Sequence, residues 1–150
     1  MITSTQVATP PGAQPSRTPS RSAVLATGLT GAVGVFQLAL AAGAPWGAAA
    51  WSGAHPGVLP ENLRVASAVS AVVYATLGAV TATGLVGPTA RRRILTGASG
   101  LMVVGTAMNL ASPSLVERAL WSPVAGALAV LLWRTRRDAD VVDTLGGTAG

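Results

Sequence analysis

Four runs of mostly apolar residues, each about as long as a membrane is thick, constrain the fold more than any other feature of this chain. The runs cover approximately residues 23-44, 64-86, 94-110 and 117-133. A helix rises 1.5 Å per residue, so roughly 20 residues cross a hydrocarbon core about 30 Å thick. Half of the residues are hydrophobic and only 10% are charged, so none of the runs has the charged face that a water-soluble helix needs. The sequence predicts an all-α fold, a membrane-spanning four-helix bundle over residues 23-135.

The two ends of the chain lack this apolar character. Residues 1-22 are rich in Pro, Ser and Thr, and such a segment cannot bury enough apolar surface to offset its chain entropy. We therefore expect a disordered cytoplasmic tail there, and a flexible cytoplasmic tail over residues 136-150. The chain has no Cys, which excludes disulfides and thiolate metal sites.

The first apolar run has one competing interpretation, a cleaved signal peptide. Small residues at its end, Ala42, Gly43 and Ala44, resemble a cleavage site. The run is longer than the usual apolar region of about 7–15 residues, and the segment before it is long and rich in Pro. We therefore interpret the run as a permanent span, and the mass of the mature N-terminus would distinguish the two.

The distribution of Arg predicts how the chain crosses the membrane. All ten basic residues are Arg, and the net charge is +5. With the N-terminus inside, only Arg64 and Arg118 lie outside, and the other eight lie in the cytoplasm: Arg17, Arg21, Arg91, Arg92, Arg93, Arg134, Arg136 and Arg137. The positive-inside rule therefore predicts a multi-pass protein of the cell membrane, N-in and C-in, with a long outward loop between helices 1 and 2. Arg beside apolar runs indicates contact with membrane lipids and no binding of nucleic acid.

Proline and glycine indicate where the second and third helices begin and end. Pro60 suits the first position of helix 2, where its missing N–H costs nothing. Gly87 and Pro88 are expected to end that helix, with residues 91-93 forming a short basic turn. The third run is then only just long enough to cross.

Small residues recur at helical spacing in the first two runs. In lipid no hydrophobic effect draws helices together, so small side chains that let backbones approach are typical of helix contacts. The glycines could suggest a phosphate-binding loop, but no strand precedes them. The predicted packing residues are Gly28, Gly31, Gly34, Ser67, Ala71, Ala75 and Ala79.

Polar residues concentrate in the predicted outer half of the bundle, below the long loop. An outward-opening polar cup could bind a small or lipidic ligand. The alternative is that these groups only bond helices to one another, as Ser, Thr, Tyr and Gln commonly do in membranes. The candidate cup residues are Gln37, Trp51, His55, Arg64, Ser70, Tyr74, Thr106 and Asn109.

Residues suited to chemistry are few. His55 is the only His and has no evident nucleophile or carboxylate partner, and catalytic zinc normally has three protein ligands. We therefore predict no catalytic residue, no metal and no cofactor. Ser114 and Glu117 match a capping box, and a cross-pair, Glu61 with Arg118 or Glu117 with Arg64, would tie the two helical hairpins together.

Three outer segments, GAPWG, HPGVLPENLR followed by ASAVS, and MNLASPSLVERALWSPV, resemble motifs of a group of small uncharacterised bacterial four-helix integral membrane proteins. The resemblance covers roughly residues 23 to 133. It implies the architecture, and it brings no activity or site residue with it. The Arg-, Ala- and Gly-rich composition likewise indicates a bacterium with GC-rich coding.

These observations favour a structural or accessory membrane component that packs against another membrane protein or a second copy of itself. The alternative is binding or transport of a small or lipidic ligand through the cup. No Asp or Glu lies deep in a run, which disfavours ion-coupled transport and proton chemistry. An enzyme has the least support.

Overall fold

Four α-helices make up most of the protein in a computed structural model, which describes residues 18–83 and 85–147, with side chains described to residue 139. We name the helices α1 (Arg21–Ala41), α2 (Glu61–Ala82), α3 (Pro88–Ala111) and α4 (Leu115–Gly147). Each contains a stretch long and apolar enough to cross a membrane, which in α4 is Leu115–Ala139. The predicted all-α fold with four such helices is confirmed.

The helices form two antiparallel hairpins that meet along one side. The helix α1 packs along α2 and α3 packs along α4, while α1 and α4 join the hairpins. The helices α2 and α3 make very little contact with each other. We call the end with the α1–α2 and α3–α4 connections the loop end, and the opposite end, where α1 begins and α2 connects to α3, the terminal end.

The half of the bundle near the terminal end has a closed apolar core. One buried side chain comes from each helix: Ala26, Leu77, Leu95 and Leu132. Nearby, the Ser99 hydroxyl donates a hydrogen bond across the helix pair to the Ala129 carbonyl at 2.8 Å. Aliphatic contact among all four helices therefore fills this half.

Small residues allow α1 and α2 to approach closely, although they are only partly the predicted ones. A Cβ on Gly34 would lie 3.6 Å from that of Tyr74, and one on Gly78 would lie 3.1 Å from the Thr30 hydroxyl oxygen. Gly78 was not among the predicted packing residues. Of those that were, Ser67 is fully buried, Ala71 and Ala79 are half-buried and Ala75 is exposed. A Cβ on Gly28 or Gly31 would meet nothing within 4 Å.

The α2–α3 connection differs from the prediction. The helix α2 ends at Ala82, and Pro88 is the first residue of α3, because proline lacks the N–H that a helix leaves unused at its start. Residues 91-93 therefore lie in the first turns of α3 and not in a basic turn. Arg91 donates hydrogen bonds to the carbonyls of Val80 and Thr81, which satisfies the carbonyl end of α2.

The last helix also differs from the prediction, because α4 continues as a helix to Gly147 in place of a flexible tail from residue 136. No Gly or Pro interrupts the chain between Gly126 and Gly146, and its Arg, Ala and Leu favour helix. At the other end, Ser20 caps α1 by accepting a hydrogen bond from the Ala23 amide. Most of the predicted N-terminal tail, residues 1–17, lies outside the described residues.

Candidate functional site

The α1–α2 connection folds tightly on itself at the loop end. The Gly47 amide donates to the Gly57 carbonyl at 2.9 Å, and a Cβ on Gly47 would lie 2.0 Å from the His55 carbonyl oxygen. Only glycine fits there. Two other residues of the connection, Trp51 and Ser52, have positive φ angles of 52° and 66° although they are not glycine. Left-handed backbone at such residues costs roughly 1–2 kcal/mol each, so surrounding contacts must hold them.

Hydrogen bonds to α2 and α4 hold this connection over the bundle. The Trp51 indole N–H donates to the Ser67 hydroxyl at 3.1 Å. The Ser52 amide donates to a carboxylate oxygen of Glu117 at 3.1 Å, and the Trp121 indole N–H donates to the Ala49 carbonyl. The two strained residues are thus among those that attach the connection to the helices below it.

The Glu117 carboxylate is the central acceptor of the loop end. Its side chain is only 9% exposed, and its second oxygen accepts a hydrogen bond from the Ser112 hydroxyl. Half of the predicted capping box is present, because the Ser114 hydroxyl accepts from the Glu117 amide at 3.2 Å. The carboxylate itself binds the connection and does not return to the Ser114 amide, which donates to Ser112 instead.

The pair predicted between Glu117 and Arg64 is not formed. The Arg64 Nε donates to the Ala41 carbonyl at 3.0 Å, so Arg64 satisfies the carbonyl end of α1. Arg91 does the same for α2 at the terminal end. Within the described residues, the Glu117 carboxylate has hydrogen-bond donors and no cationic partner.

Below the connection lies a cavity of about 450 Å³ that residues of all four helices line. This volume falls within the range of about 300–1,000 Å³ that is usual for small-molecule sites. The lining residues of the four helices and the two connections are Val33, Phe36, Gln37, Ala50, Trp51, Ser52, Ser70, Tyr74, Met108, Asn109, Ala111, Ser112, Pro113, Glu117, Trp121, Val124, Ala125 and Leu128.

The structure brings five of the eight predicted cup residues to this cavity. They come from α1, the connection, α2 and α3, and they are Gln37, Trp51, Ser70, Tyr74 and Asn109. The other three lie elsewhere. Arg64 is turned to the end of α1, the Thr106 hydroxyl donates to the Met102 carbonyl of its own helix, and His55 is exposed in the connection.

Three of these polar side chains have no hydrogen-bond partner in the described part of the chain. The Gln37 Oε1 atom is buried without one, and the side chains of Tyr74 and Asn109 make no hydrogen bond to a described residue. Ser70 differs, because its hydroxyl donates to the Ala66 carbonyl. None of the three therefore bonds one described helix to another, and for the buried Gln37 Oε1 the lack of a partner is also costly away from water.

Further lining residues were not among the predicted site residues, and α4 supplies the most important of them. Glu117, Trp121 and Leu128 are spaced four and seven residues apart, which places them on one helix face. That spacing could have identified the face from the sequence. Ser52 and Ser112 carry no comparable signal, because their role depends on where the folded connection meets α4.

Aromatic rings surround the upper part of the cavity. The Phe36 ring contacts that of Trp121 edge to face at a centroid distance of 4.7 Å and stacks on Trp46 at 5.9 Å. Trp51 and Tyr74 line the same space. The loop end therefore combines an aromatic wall, unpartnered polar atoms and one carboxylate.

In the described residues no three His, Asp or Glu side chains come together as a metal site, and the only His lies outside the cavity. Comparison of the chain with protein-family models, with curated proteins and with solved structures found no match. The resemblance of its outer segments to small bacterial membrane proteins therefore stays a prediction, and function must be argued from the site.

Proposed function

We propose that this chain is a multi-pass protein of the cell membrane that binds a small amphiphilic ligand in the cavity at its loop end. The loop end faces outward and both termini are cytoplasmic. The ligand reaches the cavity between α2 and α3, because these two helices make very little contact with each other. Binding is placed ahead of a purely structural role because of one observation, the three unpartnered polar side chains in the cavity lining.

The distribution of charge supports this orientation. The terminal end carries Arg21, residues 91-93 of α3 and the three Arg that follow Trp133 in α4. The loop end has only Arg64 and Arg118, and Arg64 is engaged with α1. Arg clusters lie on the cytoplasmic side of membrane proteins.

Gln37, Tyr74 and Asn109 support the proposal that the cavity receives a ligand. Polar side chains that only join helices bond to them, as Ser99 does in the closed half. The three in the cavity have no such bond, and the wall around them is mainly apolar and aromatic. A mostly apolar cleft with a few convergent polar groups is typical of a ligand site.

A second candidate function, an accessory component that packs against another membrane protein or itself, has a separate observation in its favour. Exposed apolar side chains cover α3, including Leu101, Val104 and Met108, and α3 is the least buried of the four helices. Lipid alone can cover such a face, so this observation is less specific than the cavity.

Filling the cavity tests the binding proposal. The probe is the neutral fluorophore N-phenyl-1-naphthylamine, added to the full-length protein in lipid nanodiscs and excited by energy transfer from tryptophan. We expect binding above that of empty discs, and its loss in Ser70→Phe, since Ser70 lines the cavity. The matched control Val69→Phe lies on the exposed face and should bind as the unchanged protein does. Equal binding by both variants would overturn the proposal.

Labelling of single cysteines tests the orientation, since the chain has none of its own. His55→Cys lies in the exposed connection, and Asp138→Cys lies at an exposed position after the Arg residues of α4. A membrane-impermeant maleimide should label the first in intact cells and the second only after lysis. The reverse pattern would place the cavity on the cytoplasmic side.

A further inference from the structure

We propose that the ligand of this cavity is an organic cation with apolar substituents, such as a quaternary ammonium or phosphonium compound. This inference rests on the proposed binding function and adds to it the charge of the ligand. Three features support it: the sign of the charge in the lining, the lack of a cationic partner for the Glu117 carboxylate, and the aromatic wall.

The cavity lining is negative. Among its residues Glu117 is the only charged one, and no Arg or His is present. The two Arg of the loop end are elsewhere, because Arg64 is bonded to the Ala41 carbonyl and Arg118 is an exposed residue outside the lining. A cation in the cavity would therefore meet an attractive charge and no like charge.

The Glu117 carboxylate is stabilised by hydrogen-bond donors and has unused acceptor positions for a cation. It lies in the first turn of α4, where the helix dipole stabilises negative charge. It also accepts hydrogen bonds from the Ser52 amide and the Ser112 hydroxyl. Each carboxylate oxygen has a further acceptor position, and no cationic side chain of the described residues occupies it. A buried carboxylate without a counter-ion gains from a positive ligand.

The aromatic wall gives the site a preference for an apolar cation over a small hydrated one. The four rings that line the cavity belong to Phe36, Trp51, Tyr74 and Trp121. The negative faces of such rings attract cations, and groups of them bind quaternary ammonium compounds in other proteins. The amide oxygens of Gln37 and Asn109, which have no other partner, can also turn toward a positive ligand.

An anionic ligand would find no comparable site. Its favoured partners are Arg, Lys and the free amides of a helix N-terminus. The lining has no Arg or Lys, and the α4 N-terminus already has the Ser114 hydroxyl as an acceptor and the acidic Glu117 in its first turn. The same cavity therefore discriminates between two ligands that differ only in charge.

The test uses two ions of nearly the same size and shape, tetraphenylphosphonium and tetraphenylborate. Binding of each to the full-length protein in nanodiscs is measured against empty discs, together with the neutral fluorophore described above. We expect saturable binding of the phosphonium and none of the borate.

Two pairs of variants separate the contributions of charge and rings. Glu117→Gln should weaken phosphonium binding about tenfold or more, the loss expected for one desolvated charge interaction. Glu61→Gln, at an exposed position of α2, is the control and should leave binding unchanged. Tyr74→Leu should weaken it as well, and by more than Tyr74→Phe, which keeps the ring and removes only the hydroxyl. Thermal unfolding of each variant shows whether it folds. If Glu117→Gln does not fold, the two Tyr74 variants still test the proposal.

The outcomes distinguish the two proposals. Two results would overturn the assignment of a cation and leave ligand binding intact. One is binding of the neutral fluorophore without any preference for the phosphonium over the borate. The other is phosphonium binding that neither Tyr74→Leu nor Glu117→Gln weakens relative to the unchanged protein. Failure of all three probes to bind above empty discs would overturn both.

Discussion

The two halves of this bundle use the same four helices in opposite ways. Near the terminal end, one aliphatic or small side chain from each helix closes the core, and the buried Ser99 is bonded to the neighbouring helix. Near the loop end, the helices surround a cavity whose polar groups Gln37, Tyr74 and Asn109 have no partner in the described chain. One half is filled by its own side chains, and the other contains a cavity of about 450 Å³.

The difference arises from what lies at each end. At the loop end, the rings of Phe36 and Trp121 meet edge to face between the hairpins, and the α1–α2 connection, bonded to α2 through Trp51, covers the helices. At the terminal end, no such connection intervenes, and leucines meet directly. The half near the terminal end is therefore closed by its own side chains, and the half near the loop end contains the cavity.

The largest effect is expected from opening the closed half. Leu132→Ala removes a fully buried side chain from the core cluster and should lower the free energy of unfolding by about 2 kcal/mol. This is the low end of the range for such changes, since lipid supplies no hydrophobic transfer term and only packing is lost. Denaturation by SDS in mixed micelles measures it. Val130→Ala, 52% exposed on the same helix, is the control, and an equal loss there would contradict a closed core.

A smaller effect is expected from disturbing the cover of the open half. In Gly47→Ala the new Cβ would lie 2.0 Å from the His55 carbonyl oxygen, so the connection must shift, at about 1–2 kcal/mol. Gly31→Ala, with open space around it, should be neutral or stabilising because alanine favours helix. Ligand binding is the second measurement. If Gly47→Ala keeps both stability and binding, the connection does not form the cover described.

The smallest effect is expected at Gln37, where its sign matters more than its size. Gln37→Met removes a buried oxygen that has no partner, so stability should be unchanged or higher by about 0.5 kcal/mol, while ligand binding weakens. Ser99→Ala, which breaks a satisfied bond in the closed half, should instead cost about 1 kcal/mol. A loss at Gln37 as large as that at Ser99 would show that Gln37 is a structural residue after all.

The number and kind of the helices could be predicted from the sequence, because apolar length is a local property. Their ends were less predictable. Pro88 can end one helix or begin the next, and it begins α3. The Arg residues after Trp133 indicated a membrane boundary, which does not require the helix to stop, and α4 continues.

The sequence grouped the polar residues at one end of the bundle, but it did not show which way each side chain faces. The sequence grouped Gln37, Tyr74 and Asn109 among the candidate cup residues, and all three line the cavity. It could not show that Thr106 bonds to its own helix or that Arg64 caps α1. Glu117 was assigned to capping, and only the folded connection shows that its carboxylate reaches Ser52.

If the cavity binds a ligand as proposed, the weak contact between α2 and α3 determines how the affinity must be expressed. A ligand that reaches the cavity from the side is drawn from the bilayer, where an amphiphile is enriched relative to water. Occupancy is then set by the mole fraction of ligand among the lipids, and the aqueous concentration matters only through its partition coefficient. Even modest intrinsic affinity fills such a site once the compound accumulates in the membrane, so selectivity must come from the contacts inside the cavity.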